Sequence, residues 1–209
     1  MSSADQRRLE RQDEIVRAYW RAARAKPGRS VNIRTVAGEA DMSPGNVLHY
    51  FDTLKDLQFA AINGAMEEFW GHRQEILDRR VSASERLWAM IDAGVPDVIS
   101  AELRHVYESV SVLAEHPEFL HAHRNLTERQ IMLYRTLIEI GAGTGEFTPA
   151  SPMRMIARNL VALEDAYDLY PLVGDKTPRD ECRAAVRSYA VVALRISEPE
   201  ESSSSARKC

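Results

Sequence analysis

The sequence predicts an all-α protein of about nine helices. Three observations carry this. Apolar residues recur every three or four positions along most of the 209 residues, and no run alternates apolar and polar as a half-buried strand does. Proline, glycine and capping residues then cut the pattern at intervals suited to helices. Hydrophobic residues make up 44% and charged residues 28%, the balance of a globular chain long enough to bury its own core. Two cysteines, Cys182 and Cys209, are too few for a disulfide framework or a four-cysteine zinc site. No stretch approaches the roughly 18 consecutive apolar residues of a membrane span, and the polar start MSSADQRRLERQDE has no signal-peptide core. The expectation is a cytoplasmic protein with no membrane partner.

In chain order, Ile15, Tyr19, Ala22 and Ala23 share one face of a helix from about Asp5 to Ala25, which Pro27-Gly28 ends. Asn32 is placed to cap a short helix to about Ala40, with Ile33, Val36, Ala37 and Ala40 inward. After the tight connection Asp41-Met42, Ser43 caps a third helix, which opens on Pro44 and ends near Phe51. A proline at that first position loses nothing, because its N–H would have no partner anyway. Asp52 or Thr53 caps a long fourth helix, about 54–80, with Leu57, Ala61, Ala65, Phe69 and Ile76 on its apolar face. Helices at about 84–94, 97–115 and 117–141 follow, broken at Pro96 and Pro117. Gly141 to Pro152 reads as a loop. The last two helices, about 152–170 and 178–197, flank a Pro-Leu-Val-Gly-Asp break at 171–175. The expected organisation is a helix-turn-helix head over 1–53, a body over 54–197, and a disordered Ser-rich tail over 198–209.

Charge is uneven. The formal net charge of −4 argues against a protein that coats nucleic acid without regard to sequence. Residues 1–35 nevertheless hold nine basic and four acidic residues, a net of +5, whereas residues 61–209 hold 17 basic and 23 acidic, a net of −6. A basic head attracts phosphates through counterion release.

Segment 32–51, NIRTVAGEADMSPGNVLHYF, has the build of a helix-turn-helix, in which the second helix enters the major groove. Ala37 is small where the helices cross, and Gly45 allows close approach of a groove or backbone. Asn46 can read a base edge or hold a phosphate, and His49 and Tyr50 carry donors suited to phosphates. The candidate contacts to double-stranded DNA are Arg34, Thr35, Ser43, Pro44, Gly45, Asn46, Leu48, His49, Tyr50 and Lys55.

Residues 15–57 resemble the DNA-binding head of the TetR family of bacterial one-component regulators. Ala37, Ser43, Gly45, Val47, the run His49-Tyr50-Phe51 and Leu57 stand where that family has its helix-two alanine, turn serine, glycine, apolar residue, aromatic-rich ending in Phe, and leucine six positions on. The ending His-Tyr-Phe is closest to the choline-responsive repressors. The match departs at Leu48, where an aromatic is usual, at Asn46, often Thr, and at Asp41, usually Gly. It departs again at Leu54, where the family usually places a phosphate-touching Lys; Lys55 is adjacent but about 100° around the helix.

The resemblance implies a homodimeric repressor on a near-palindromic operator, released by a small-molecule effector of unknown identity. Phe69, Trp70, Trp88, Met90, Tyr107, Tyr134 and Tyr167 are the candidate pocket residues. Ile156, Leu160, Leu163, Val186, Tyr189 and Ala193, on the two apolar C-terminal helices, are the candidate dimer interface. A ligand-independent regulator of the same fold is the alternative.

A rival reading comes from IEIGAGTGEF at 138–147, which resembles the glycine loop of class I S-adenosylmethionine methyltransferases, with Glu164 about twenty residues on. That motif needs a preceding strand and a following helix. Here a helical segment precedes it and Thr148-Pro149 follows, so the expectation is no enzyme, no catalytic residue and no cofactor. His105, His116, His121 and His123 lack the i, i+4 spacing of a helical metal pair, so no metal site is expected.

Overall fold

The structure is a computed structural model that describes residues 2–25, 31–113 and 117–196. Lys26, Pro27-Gly28, Arg29, His116, Cys209 and the tail lie outside the described residues. Among those described, nine α-helices and one 3-10 turn form the whole regular structure, with no strand. They are α1 (Ser3–Ala25), α2 (Ile33–Glu39), α3 (Pro44–Tyr50), α4 (Leu54–Leu77), α5 (Ala83–Gly94), α6 (Ala101–Leu113), α7 (Pro117–Thr144), α8 (Met153–Leu169) and α9 (Arg179–Leu194), with the 3-10 turn at Tyr170–Leu172.

The helix starts follow local chemistry. Asn32 and Thr35 form a reciprocal capping box at α2, and Ser82 and Glu85 form another at α5. Four boundaries differ from the periodicity. The segment at 97 does not begin α6; Ser100 does, accepting the Leu103 N–H at 3.0 Å. Helix α7 continues through Gly141 to Thr144. Gly141 serves packing and not a turn: a Cβ there would lie 2.1 Å from the Phe147 ring. The chain instead turns at Gly145, whose φ of 80° suits glycine. Helix α4 ends at Leu77, short of residue 80, and Pro171 shapes a 3-10 turn that the pattern did not show.

The chain forms two compact units: one comprises described residues up to 71 together with 98–126, the other 72–97 together with those from 127. In the first, Ile15 and Tyr19 of α1, Val36 of α2, Val47 of α3 and Leu57 of α4 are fully buried in one core. A second cluster joins Ile62 and Met66 to Val106 and Leu126, with Phe59 and Trp70 against it. Helix α6 meets α1 where the Tyr19 hydroxyl hydrogen-bonds with His105 Nε2, and where Arg24 pairs with Glu102.

The second unit is organised around a buried ion pair. Arg73 and Glu164 are 1% and 2% exposed. Two guanidinium N–H groups donate to the Glu164 carboxylate at 2.8 and 3.1 Å. The remaining donors reach Gln130 Oε1 at 2.7 Å, the Met90 carbonyl at 3.2 Å and the Met90 sulfur at 3.3 Å. The Tyr134 hydroxyl donates to Glu164, and the guanidinium carbon lies 5.0 Å from the Tyr134 ring centroid. Burial pushes the Glu164 carboxyl up, against the downward pull of Arg73 and the Tyr134 hydroxyl. Gly94 makes the space: a Cβ there would sit 2.1 Å from the Glu164 carboxyl carbon.

Breaking one side of such a pair leaves an uncompensated buried charge. Arg73→Met alone is therefore expected to cost about 3–5 kcal/mol in denaturant unfolding, and Arg73→Met with Glu164→Leu to recover most of that loss.

Candidate nucleic-acid interface

Helix α3 has only seven residues and buries only Val47. Its neighbours hold it. The Ser43 side chain accepts the Asn46 N–H at 3.2 Å, Pro44 occupies the first position, and the Phe51 N–H closes the far end on the Val47 carbonyl at 3.1 Å. The turn before it bends at Asp41, whose φ of 52° lies in the left-handed region, and the Met42 N–H donates to the Ala37 carbonyl at 2.9 Å. Aspartate tolerates this geometry better than most non-glycine residues.

Helix α1 braces both short helices from the side. Arg21 donates to the Glu39 carbonyl at the end of α2, at 2.7 Å. Gln12 Nε2 donates to the Tyr50 carbonyl at the end of α3, at 3.1 Å, and the Arg8 guanidinium lies 5.6 Å from the Tyr50 ring centroid. Among the described residues, the outward face of α3 is thus held in orientation and exposed. Pro44, Gly45, Asn46, Leu48 and His49 are exposed, Leu48 by 42%, and Tyr50 is half-buried with His49 edge-on at 5.3 Å. A side chain at Gly45 would meet nothing nearer than Ser43 Oγ at 4.0 Å. The glycine therefore answers to no packing need of this chain. Arg34 and Lys55 are exposed on the flanking helices. Thr35 is half-buried with its hydroxyl in the α2 cap, donating to the Asn32 carbonyl at 2.8 Å. Leu54 packs inward against the α1–α3 core.

The candidate pocket residues are distributed differently from the sequence reading. Met90 and Tyr134 are fully buried and engaged with Arg73. The reason is the arginine itself, since a buried guanidinium has to be surrounded by acceptors. Trp88 is buried with the Arg187 guanidinium 5.8 Å from its ring, and Tyr167 meets Tyr170 edge-on at 5.2 Å. In the other unit, Trp70 packs on the Ile62–Met66–Val106–Leu126 cluster, and Phe69 and Tyr107 are half-buried. A cavity of ≈ 580 Å³ in the second unit is lined by Asp92, Pro96, Asp97, Asp180, Arg183 and Arg187, none of them among the expected seven.

Within the single chain, the candidate interface residues are mostly buried. Ile156, Leu160 and Val186 are fully buried and Ala193 nearly so, all within the chain's own core. Leu163 is half-buried, and Tyr189 is half-buried with its hydroxyl accepting from Asn159 Nδ2 at 2.8 Å. The apolar residues that α8 and α9 leave exposed are Met155, Leu169 and Val192, the last by 72%, beside exposed Ala162, Ala166, Ala184 and Ala185. The periodicity located two apolar helices but could not say which face each turns inward.

No protein-family model matches the chain, and no curated protein matches it. Solved structures do. A TetR transcription regulator from Haloarcula marismortui superposes with a TM-score of 0.74 at 22% identity, over 89% of this chain and 99% of its own. A putative transcriptional regulator from Saccharomonospora viridis, in complex with choline, does so with a TM-score of 0.77 at 18% identity, over 89% and 98%. A putative TetR-family regulator from Rhodococcus sp. gives 0.69 at 21%, over 88% and 98%. The chain has the TetR fold. In TetR-fold terms the first three helices carry the helix-turn-helix read from the sequence. The contributions the sequence reading missed are Arg8, Gln12 and Arg21, the braces from α1. The signal was present: Arg8 and Gln12 continue the stripe of Ile15 and Tyr19 at spacings of four, three and four.

Proposed function

We propose that the chain is a DNA-binding transcriptional regulator, most simply a repressor, that reads a near-palindromic operator as a homodimer and is released by a small-molecule effector. One observation carries the DNA reading: α3 is braced by α1 while its residues Pro44, Gly45, Asn46, Leu48 and His49 are exposed. In this reading Asn46 contacts a base edge, and His49, Tyr50, Arg34 and Lys55 fix the register on phosphates. Homodimerisation is supported by the exposed apolar residues of α8 and α9, with Val192 and Met155 near the centre of the contact. Two-fold symmetry would then present two copies of α3 to half-sites about 34–36 Å apart, or a multiple of that. The effector acts by binding one of two states more tightly than the other. Its chemistry is approached through two leads: the His49-Tyr50-Phe51 ending, which resembles choline-responsive repressors, and the choline bound to the Saccharomonospora viridis protein.

An electrophoretic shift with the DNA upstream of its own gene tests the first element. Wild-type protein shifts that DNA, and Asn46→Ala and Tyr50→Ala each lose the shift while keeping wild-type helicity. For the dimer, sedimentation is expected to show two chains in the wild type and one in Val192→Glu, because two buried carboxylates would face each other across the axis. For the effector, choline at millimolar concentration is expected to raise the melting temperature. A flat response to choline and to a broad set of small molecules favours the ligand-independent alternative.

A further inference from the structure

The outward face of α3 has a chemistry of its own. At about 100° per residue, Gly45 stands opposite the buried Val47, with Asn46 on one flank and Leu48 on the other. A helix with glycine at the centre of a face can press close to a groove, and the flanking side chains then decide which bases suit it. Over its whole length, Pro-Gly-Asn-Val-Leu-His-Tyr, α3 holds no Arg, Lys, Gln, Asp or Glu. Arginine and lysine are the commonest readers of guanine, through O6 and N7, and a carboxylate is the usual acceptor for the cytosine amino group. Arg34 stands on α2, the helix that in this motif crosses the backbone. Each ring nitrogen of His49 makes a single hydrogen bond, so this residue lacks the paired contact that tells one base from another.

The two flanking side chains suit the other base pair. Leu48 is 42% exposed and takes no part in the core around Val47. A single exposed leucine is ordinary on a protein surface. This one, however, shares the exposed side of α3 with Pro44, Gly45, Asn46 and His49. Its side chain has no group that can hydrogen-bond to a phosphate or a base edge. The apolar group that the major groove presents is the 5-methyl of thymine. A leucine on a helix leans toward the preceding turn, and here Gly45 leaves that turn uncovered. On the opposite flank, Asn46 gives its main-chain N–H to the Ser43 cap. Among the described residues its side-chain amide makes no hydrogen bond. That amide keeps a donor and an acceptor side by side, the pattern complementary to the N6 and N7 edge of adenine.

Resting on the DNA-binding reading above, we propose that α3 reads A·T base pairs in each half-site, through Asn46 on an adenine and Leu48 on a thymine. Asn46 Nδ2 donates to adenine N7, and Asn46 Oδ1 accepts from the N6 amino group. Leu48 packs on the 5-methyl group of a thymine in a neighbouring pair. Discrimination against G·C follows from what α3 lacks: a cation for guanine O6 and N7, and a carboxylate for the cytosine amino group.

The test uses full-length protein and duplexes enriched from a random-sequence library by wild type, Asn46→Ala and Leu48→Ala. The base pairs at which each variant loses the wild-type preference are expected to be A·T. On the wild-type duplex, deoxyuridine then replaces the thymine assigned to Leu48, which removes the methyl group alone. In a second duplex, 7-deazaadenine replaces the adenine assigned to Asn46, which removes N7 alone. Affinities are measured at low salt, where backbone contacts keep weakened variants bound. Wild type is expected to lose about three- to fivefold with uracil, the effect of one buried methyl, and about fivefold with the deaza base. Leu48→Ala binds the thymine and uracil duplexes alike and still senses the deaza base, and Asn46→Ala shows the converse. Guanine or cytosine at the base pairs that depend on Asn46 and Leu48 overturns the proposal and leaves the DNA reading intact. So does a thymine-to-uracil ratio that is the same for wild type and Leu48→Ala. Failure of the wild type to enrich any duplex overturns both.

Discussion

The proposed DNA-facing surface depends on how a helix of seven residues is held in place. An isolated helix below about 12–15 residues is marginal in water, so α3 cannot stand on its own propensity. Val47 gives it one buried anchor, Ser43 satisfies its first turn, and Phe51 closes its last. Orientation comes from α1, which reaches α2 through Arg21 and α3 through Gln12 and Arg8. Because packing claims only Val47 fully and Tyr50 in part, Pro44, Gly45, Asn46, Leu48 and His49 stay exposed. The same economy makes Tyr50 pivotal, since it takes part in both the helix end and the brace.

The second unit solves a different problem. Placing Arg73 and Glu164 in its interior removes two charges from water, which is unfavourable unless every donor and acceptor is matched. The matching is extensive, with Gln130, Tyr134 and the Met90 carbonyl completing the shell and Gly94 yielding space. A buried ion pair of this kind contributes little net stability over a well-packed apolar core, but it penalises any arrangement that separates its members. Helices α4, α5, α7 and α8 each supply one member or more, so the pair fixes the register of this part of the chain.

Much of this was legible in the sequence because it is local. Asn32, Ser43 and Pro44 announce helix starts through chemistry within three residues, and the spacing of Ile15, Tyr19, Val36 and Val47 marks the first core. What was not legible depends on partners far along the chain. Gly141 looks like a loop residue until Phe147 is seen against it. That Tyr134 and Met90 surround a buried arginine shows only once Arg73 is seen against them. Arg73 did leave a trace, standing at a stripe position between Phe69 and Ile76, and Glu164 stands likewise four residues after Leu160. Opposite charges on the apolar stripes of two helices signal a buried pair, whereas Glu164 was read only against a nucleotide-binding motif. The faces that α8 and α9 leave exposed were not legible for the same reason: both helices are apolar over more than one side, and only packing within the unit decides which side remains.

The central claim is that the bare face of α3 reads DNA as one half of a symmetric pair. Selection from a random duplex library with the wild-type chain tests it most directly, because it assumes no operator. The account predicts enrichment of inverted repeats whose half-site centres lie about one helical turn apart or a multiple of it, with two chains bound per duplex. Enrichment of no sequence, or of sites without two-fold symmetry bound by a single chain, would contradict it.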